Sequence, residues 1–248
     1  MKWFEDLYNR QIYFDLYAEQ DTLLAKSEVE NILNLIPLHT GQTILDVGCG
    51  YGRHAVEFAK RGFLVTGIDL APKQIEAAKR RAKEAGVGIH FILGDARKME
   101  FREEFEIVLS LFLTFGFFEE ETENQMMLDR MAGALRPNGV LLMDLWNREK
   151  MIRDFSPLQV EEHPDGIQIE KRWEFDAWNG RLDWENEVTF PDGIKESWKH
   201  SVRAYTLVEL KRMYEDAGLR LEKVYGDFQG NVYTLESQQM ILLARKTV

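Results

Sequence analysis

Through the first 40 positions apolar side chains return at helical spacing, and many are aromatic: Trp3, Phe4, Tyr8, Ile12, Tyr13 and Tyr17 share one stripe. From position 41 the pattern changes to short, continuously apolar runs separated by amphipathic stretches. The runs 43–47, 63–68, 89–93, 105–109 and 140–144 read as buried strands. Helices are predicted over 53–61, from Pro72 to Gly86, and around 123–135, with proline at a favoured first position and Gly62 and Gly86 as stops. Buried strands that alternate with helices form a parallel sheet covered on both faces.

Beyond position 148 the period becomes two. Ile167, Ile169, Trp173 and Phe175 make one line; Leu182, Trp184, Val188 and Phe190 a second; Ile194, Trp198, Val202 and Ala204 a third. Asn179-Gly180 and Asp192-Gly193 supply the turns, so a three-stranded antiparallel meander with a tryptophan-rich face is expected. Thr206-Leu207-Val208-Glu209 has capping-box spacing and starts a helix that Gly218 ends; strands follow at 221–225 and 240–244. The chain therefore divides into a helical cap (1–40), a core (41–147), an antiparallel insertion (148–205) and a return to the core (206–248).

Composition narrows the class. With 248 residues, 45% hydrophobic and 29% charged, the chain makes one large domain or a domain with an insertion. The longest apolar run, 107–118, is broken by Ser110, Thr114 and Gly116, well short of the ~20 residues that span a bilayer. The first six residues turn acidic without an export-signal core. One cysteine, Cys49, and five scattered histidines make neither an internal disulfide nor a zinc site. A cytoplasmic protein without a metal or membrane partner is expected. Lys plus Arg is 31 against 42 for Asp plus Glu, a net charge of −11, which disfavours nucleic acid. The densest basic stretch, Lys79-Arg80-Arg81-Ala82-Lys83, reads as a solvated helix face. Nothing in the pattern fixes an oligomeric state.

The candidate chemistry gathers at three strand ends. Asp46-Val47-Gly48-Cys49-Gly50-Tyr51-Gly52 joins a strand to a helix, where glycines, with the small Cys49 among them, let backbone amides approach a ligand at a helix N-terminus. A glycine turn alone is only a tight turn. Asp69, twenty-one residues past Gly48 and followed by Leu70, is placed to accept ribose hydroxyls or to cap the next helix. Gly94-Asp95-Ala96 offers an acceptor for an adenine amine. Asp46 would repel a pyrophosphate yet suits an ammonium, which points to S-adenosylmethionine rather than a dinucleotide.

These segments, with Leu135-Arg136-Pro137-Asn138-Gly139, resemble the class I S-adenosylmethionine-dependent methyltransferases over roughly residues 40–147. The resemblance implies an α/β fold: a doubly wound, Rossmann-like sheet of seven mostly parallel strands with the last antiparallel, plus the inserted meander and an N-terminal helical lid. It also implies that Ser110 and Leu111 border the methionine part of the cofactor. More narrowly, the chain is similar to small-molecule enzymes that dimethylate amino sugars, through the aromatic N-terminal helix, the segment 109–117 and the meander. It lacks the Asn/Asp-Pro-Pro-aromatic segment of methyltransferases acting on DNA bases.

The expected activity is methyl transfer to nitrogen or oxygen of a small molecule. A tRNA base or protein side chain as acceptor, a non-catalytic S-adenosylmethionine-binding subunit and an NAD-dependent dehydrogenase are the alternatives. His200, Arg203 and Tyr205 are catalytic candidates, although Lys199 and Ser201 favour a solvated His200. Tyr13, Tyr17 and Phe115 are candidates for the substrate or lid side. Arg53 and His54 read equally as a solvated first turn or a cofactor contact.

Overall fold

The computed structural model describes residues 2–247 other than Pro164; the side chains of Asp15 and of residues 17–22, and so the candidate Tyr17, lie outside that description. Seven strands form one sheet: β1 (Thr43–Val47), β2 (Leu64–Asp69), β3 (His90–Leu93), β4 (Phe105–Ser110), β5 (Leu135–Trp146), β10 (Leu219–Tyr225) and β11 (Gln239–Lys246). Their order is β10-β11-β5-β4-β1-β2-β3. The first five run parallel, and β11 is antiparallel to both neighbours. The chain winds outward from β1 to β3, then resumes at β4 on the other side, so the order reverses beside β1. Open sheets bind ligands at that reversal, outside the carboxyl strand ends.

Adjacent strand residues point to opposite faces, and each face carries its own core. Leu45, Val108 and Leu141 pack with α5 (Glu121–Ala134) and α7 (Leu207–Asp216), through Met127, Met131, Leu210 and Tyr214. Their neighbours Ile44, Ile107 and Leu142 pack with α2 (Gln11–Leu35), α3 (Arg53–Lys60) and α4 (Pro72–Ala85), through Val29, Ile32, Phe58 and Ile75.

Two expectations are corrected. The aromatic N-terminal stripe is two helices, α1 (Trp3–Leu7) and α2, because Asn9 turns its side-chain amide onto the Glu5 carbonyl at 2.7 Å and ends the first. The meander has four strands: β6 (Leu158–Glu162), β7 (Gln168–Asp176), β8 (Arg181–Thr189) and β9 (Lys195–Arg203). β6, which follows the short helix α6 (Arg148–Arg153), is exposed along its whole length, so it carries no burial signal to read. Leu7 and Ile12 from the cap and Ile169, Val188 and Trp198 from the meander form a third core that joins the two. Among the described residues no helix is long and apolar enough to cross a membrane.

Candidate active site

Residues just past the ends of β1 to β4 enclose a cavity of about 270 Å³. The turn between β1 and α3 contributes Gly48, Cys49 and Gly50. Gly48 has φ +73°, and a Cβ there would collide with the Thr114 side chain, so this glycine lets the 111–118 loop close against the turn.

Asp69, at the end of β2, accepts the backbone N–H of Gly50 and that of Ala71, each at 2.8 Å. It therefore clamps the glycine turn, while the α4 cap at Ala71 has no side-chain bond. A carboxylate has about four acceptor positions, which leaves room for two hydroxyl donors. Burial outweighs the N–H bonds and raises its pKa above the carboxylate norm. Asp46 is 3% exposed; burial first, then the Asp69 charge, push its pKa up to about 7, with Arg53 opposing. A carboxyl so poised gains strongly from a cation beside it.

Asp95, Ala96, Leu70 and Leu111 line the same cavity. The Asp95 carboxylate is already held by Arg97, whose backbone N–H and Nε reach Oδ1 at 3.0 and 2.9 Å. Burial raises its pKa, but the Arg97 bonds prevail and keep it below the usual range. A purine amine would share this carboxylate with Arg97. Ser110 is fully buried outside the lining, and its Oγ has no hydrogen-bond partner among the described residues.

One end of the cavity is aromatic. α1 supplies Phe4, Glu5 and the adjoining Tyr8, α2 supplies Tyr13, and the loop after β4 supplies Phe117 and Phe118. Tyr8 meets Tyr13 edge-on at 5.0 Å and stacks on Phe117 at 6.1 Å. Phe115 points elsewhere, fully buried against Tyr205.

The lining also carries the charged pair Arg53 and His54, whose setting sequence reasoning largely missed. Arg53 and His54 are not solvated: they are 7% and 6% exposed, and both bond to Glu28 of α2, at 2.9 and 2.8 Å. Arg53 lies 3.6 Å from the Phe112 ring centroid and His54 stacks on the same ring. Phe112 and Leu113 both have positive φ, near +57°, a strain of about 1–3 kcal/mol each. Asp144 at the end of β5 holds them there, accepting the Phe112 N–H on its carboxylate and the Leu113 N–H on its carbonyl. An Arg-His pair opening a helix was the visible signal; Glu28, supplied from another helix, was not.

None of the three catalytic candidates lines the cavity. His200 stacks on Trp184 with centroids 4.1 Å apart, and its Nε2 accepts from Trp198 Nε1 at 3.0 Å. Burial, then Lys171, push its pKa down to about 3, so it stays neutral. Tyr205 donates to Glu121 at 2.6 Å, and burial drives its pKa upward. Arg203 pairs with Glu121 and Glu209. These are structural contacts of the meander's end.

Residues 44–139 match the family model described as a methyltransferase domain. This part of the chain is a methyltransferase domain, and its cofactor is S-adenosylmethionine. Over 98% of its length the chain is 27% identical to a protein of Geobacillus sp. named as a methyltransferase, covering 97% of that relative. It is 29% identical, over 76% of both chains, to the dTDP-4-amino-2,3,4,6-tetradeoxy-D-glucose N,N-dimethyltransferase of Saccharopolyspora spinosa. Among solved structures, the fold is similar to an amino pentose methyltransferase of Micromonospora echinaspora with its cofactor bound (TM-score 0.72, 23% identity, 96% and 98% coverage). A methyltransferase of Streptomyces caelestis matches at TM-score 0.80 with 20% identity, covering 90% of each chain. The methyltransferase cavity suits the cofactor chemically: a buried carboxyl at Asp46 for an ammonium, and spare acceptor positions on Asp69 for a diol.

Proposed function

We propose that this methyltransferase N-methylates a small amine, an amino sugar being the acceptor class. The observation that carries this reading is the aromatic end of the cavity, where Tyr8, Tyr13 and Phe117 line a space that the acidic Glu5 also borders. Aromatic faces with an adjacent carboxylate attract an ammonium and fit a compact ring. The amino-sugar activity printed in the names of the Saccharopolyspora and Micromonospora relatives supports it. The net charge of −11 argues against a polyanionic acceptor such as tRNA and suits a cytoplasmic enzyme acting on metabolites.

Bound S-adenosylmethionine supplies an electrophilic methyl on a sulfonium, so the protein contributes alignment and dryness. In this reading Asp46 receives the ammonium of the cofactor, Asp69 its ribose hydroxyls, and Asp95 with Ala96 its purine. Glu5 accepts an N–H of the acceptor and turns the nitrogen lone pair inward, while the aromatic end excludes water. An acceptor drawn in as the ammonium passes one proton to water before transfer, and the neutral nitrogen then attacks without a strong base, in keeping with a cavity from which His200 and Tyr205 are absent.

The test is incubation of the full chain with methyl-labelled S-adenosylmethionine and a nucleotide-linked 4-amino sugar, beside its 4-hydroxy analogue. Label is expected on the amine, as one or two methyl groups by mass spectrometry. Transfer to the hydroxy sugar alone would refute nitrogen as the target.

A further inference from the structure

The molecule holds a second cavity, also about 270 Å³, whose lining shares no residue with the first. It lies at the carboxyl end of β5, between α6 and the meander, walled by Trp146, Trp173 and Leu182 with Met151 and the part-exposed Phe155 at its side. We propose that this cavity binds a neutral saccharide ring. Neither the methyl transfer nor the choice of acceptor enters the argument.

Two features of the walls point to such a ring. The indoles are fixed: Trp173 stacks on Trp184 at 4.8 Å, and Trp146 closes the cluster at 6.1 Å from Trp173 and 5.6 Å from Trp184. Rigid indole faces beside a concave site suit the flat C–H face of a sugar. In addition, Gln159 and Gln238 stand on the same lining as the indoles and bring amide groups that can pair with ring hydroxyls.

The rim decides the charge of the ligand. Gln159, Gln238 and Ser156 are neutral, and the two charged residues, Lys150 and Asp154, pair with each other at 2.6 Å. Asp154 is held by Arg153 as well, at 2.9 Å, so an ion of either sign would have to displace an existing partner. A hydrocarbon would cover the glutamine amides at a cost. A polyhydroxylated ring satisfies both conditions: apolar face on indole, hydroxyls on the amides.

The probe is methyl β-D-glucopyranoside, followed by saturation-transfer NMR on the full chain with saturating S-adenosylmethionine. We expect saturable transfer to the ring protons, weakened about fivefold in Trp173→Phe and in Gln159→Ala. Cofactor affinity stays at the wild-type value in both and reports that they are folded; Gln159 is exposed, so its variant keeps the test alive if Trp173→Phe fails to fold. The proposal is overturned by absence of transfer, by transfer insensitive to both substitutions, or by equal transfer to cyclohexanol. Loss of transfer in Phe117→Ala alone would place the sugar in the first cavity and overturn it too.

Discussion

The backbone N–H of Gly50 donates to the carboxylate of Asp69 at 2.8 Å, tying the loop after β1 to the end of β2. The acid assigned to the ribose thus also shapes the turn assigned to the amino-acid tail, and one substitution disturbs both. Asp69→Ala should weaken S-adenosylmethionine binding by about 1–3 kcal/mol and lower Tm slightly, while Asp69→Asn, which keeps one acceptor oxygen, falls between. Calorimetric titration checks this, and an unchanged affinity in the alanine variant would remove Asp69 from the site.

The two glycines of the turn should not respond alike. Gly48 has no room for a Cβ beside Thr114, whereas a Cβ on Gly50 meets only Gln74 Oε1 at 3.5 Å, so its cost is the left-handed φ of +52°. Gly48→Ala should abolish cofactor binding with far-UV circular dichroism unchanged. Gly50→Ala should cost about 1 kcal/mol. The reverse order would mean that the 111–118 loop does not rest on the turn.

Asp46 should make both stability and cofactor affinity depend on pH. Its pKa of about 7 in the folded chain exceeds 3.8, so the folded state retains a proton that the unfolded state has lost. Stability is therefore greatest at the acid end, declines as pH rises through that window, and bears the full cost above about 7, at most about 4 kcal/mol. Asp46→Asn should raise Tm at pH 8 and leave it unchanged near pH 4. The wild-type affinity for S-adenosylmethionine should climb through pH 7, where the variant stays weak and flat. Melting curves and titrations at several pH values decide it; parallel wild-type and variant profiles would contradict the assignment.

Acceptor and cofactor contacts should separate in the aromatic end. Glu5→Gln and Phe117→Ala are expected to raise KM for an amino-sugar acceptor about tenfold while Kd for S-adenosylmethionine moves less than about twofold. A matching loss in cofactor affinity would show that this end serves the cofactor instead.

Arg203 should matter for stability and not for chemistry. Its guanidinium bonds to Glu121 and Glu209 and covers the Tyr205 ring at 4.7 Å. Arg203→Ala should lower stability by about 1–3 kcal/mol by denaturant unfolding, with kcat preserved below the new Tm. A fall in kcat without a fall in stability would return Arg203 to the catalytic candidates.

The core was legible because its strands are buried on both faces and its turns carry the only residues that fit: Gly48 against Thr114, Gly86 with φ +68° ending α4. The glycine turn, Asp69 and Asp95 could be placed together from spacing alone, since consecutive parallel strands end on one edge. What sequence could not show depends on contacts between distant segments. His200 looks solvated between Lys199 and Ser201, yet Trp184 and Trp198 cover it from two strands. Arg53 and His54 look like a polar first turn until Glu28 arrives from the cap. Phe115 and Phe117 differ by two positions and one faces Tyr205, the other the cavity. β6 is exposed on both sides and leaves no pattern at all.

The loop at 111–118 is fastened to the meander at two points: Arg203 N–H donates to the Gly116 carbonyl at 2.8 Å, and Arg181 Nη1 to that of Phe118 at 2.9 Å. The same loop presses Thr114 onto Gly48. Swapping the β6–β9 segment between relatives to redirect specificity is therefore not a modular exchange. A chimera inherits foreign anchors for a loop that lines the first cavity, and its donor affinity is expected to shift along with its acceptor preference unless positions 116, 118, 181 and 203 travel as a set.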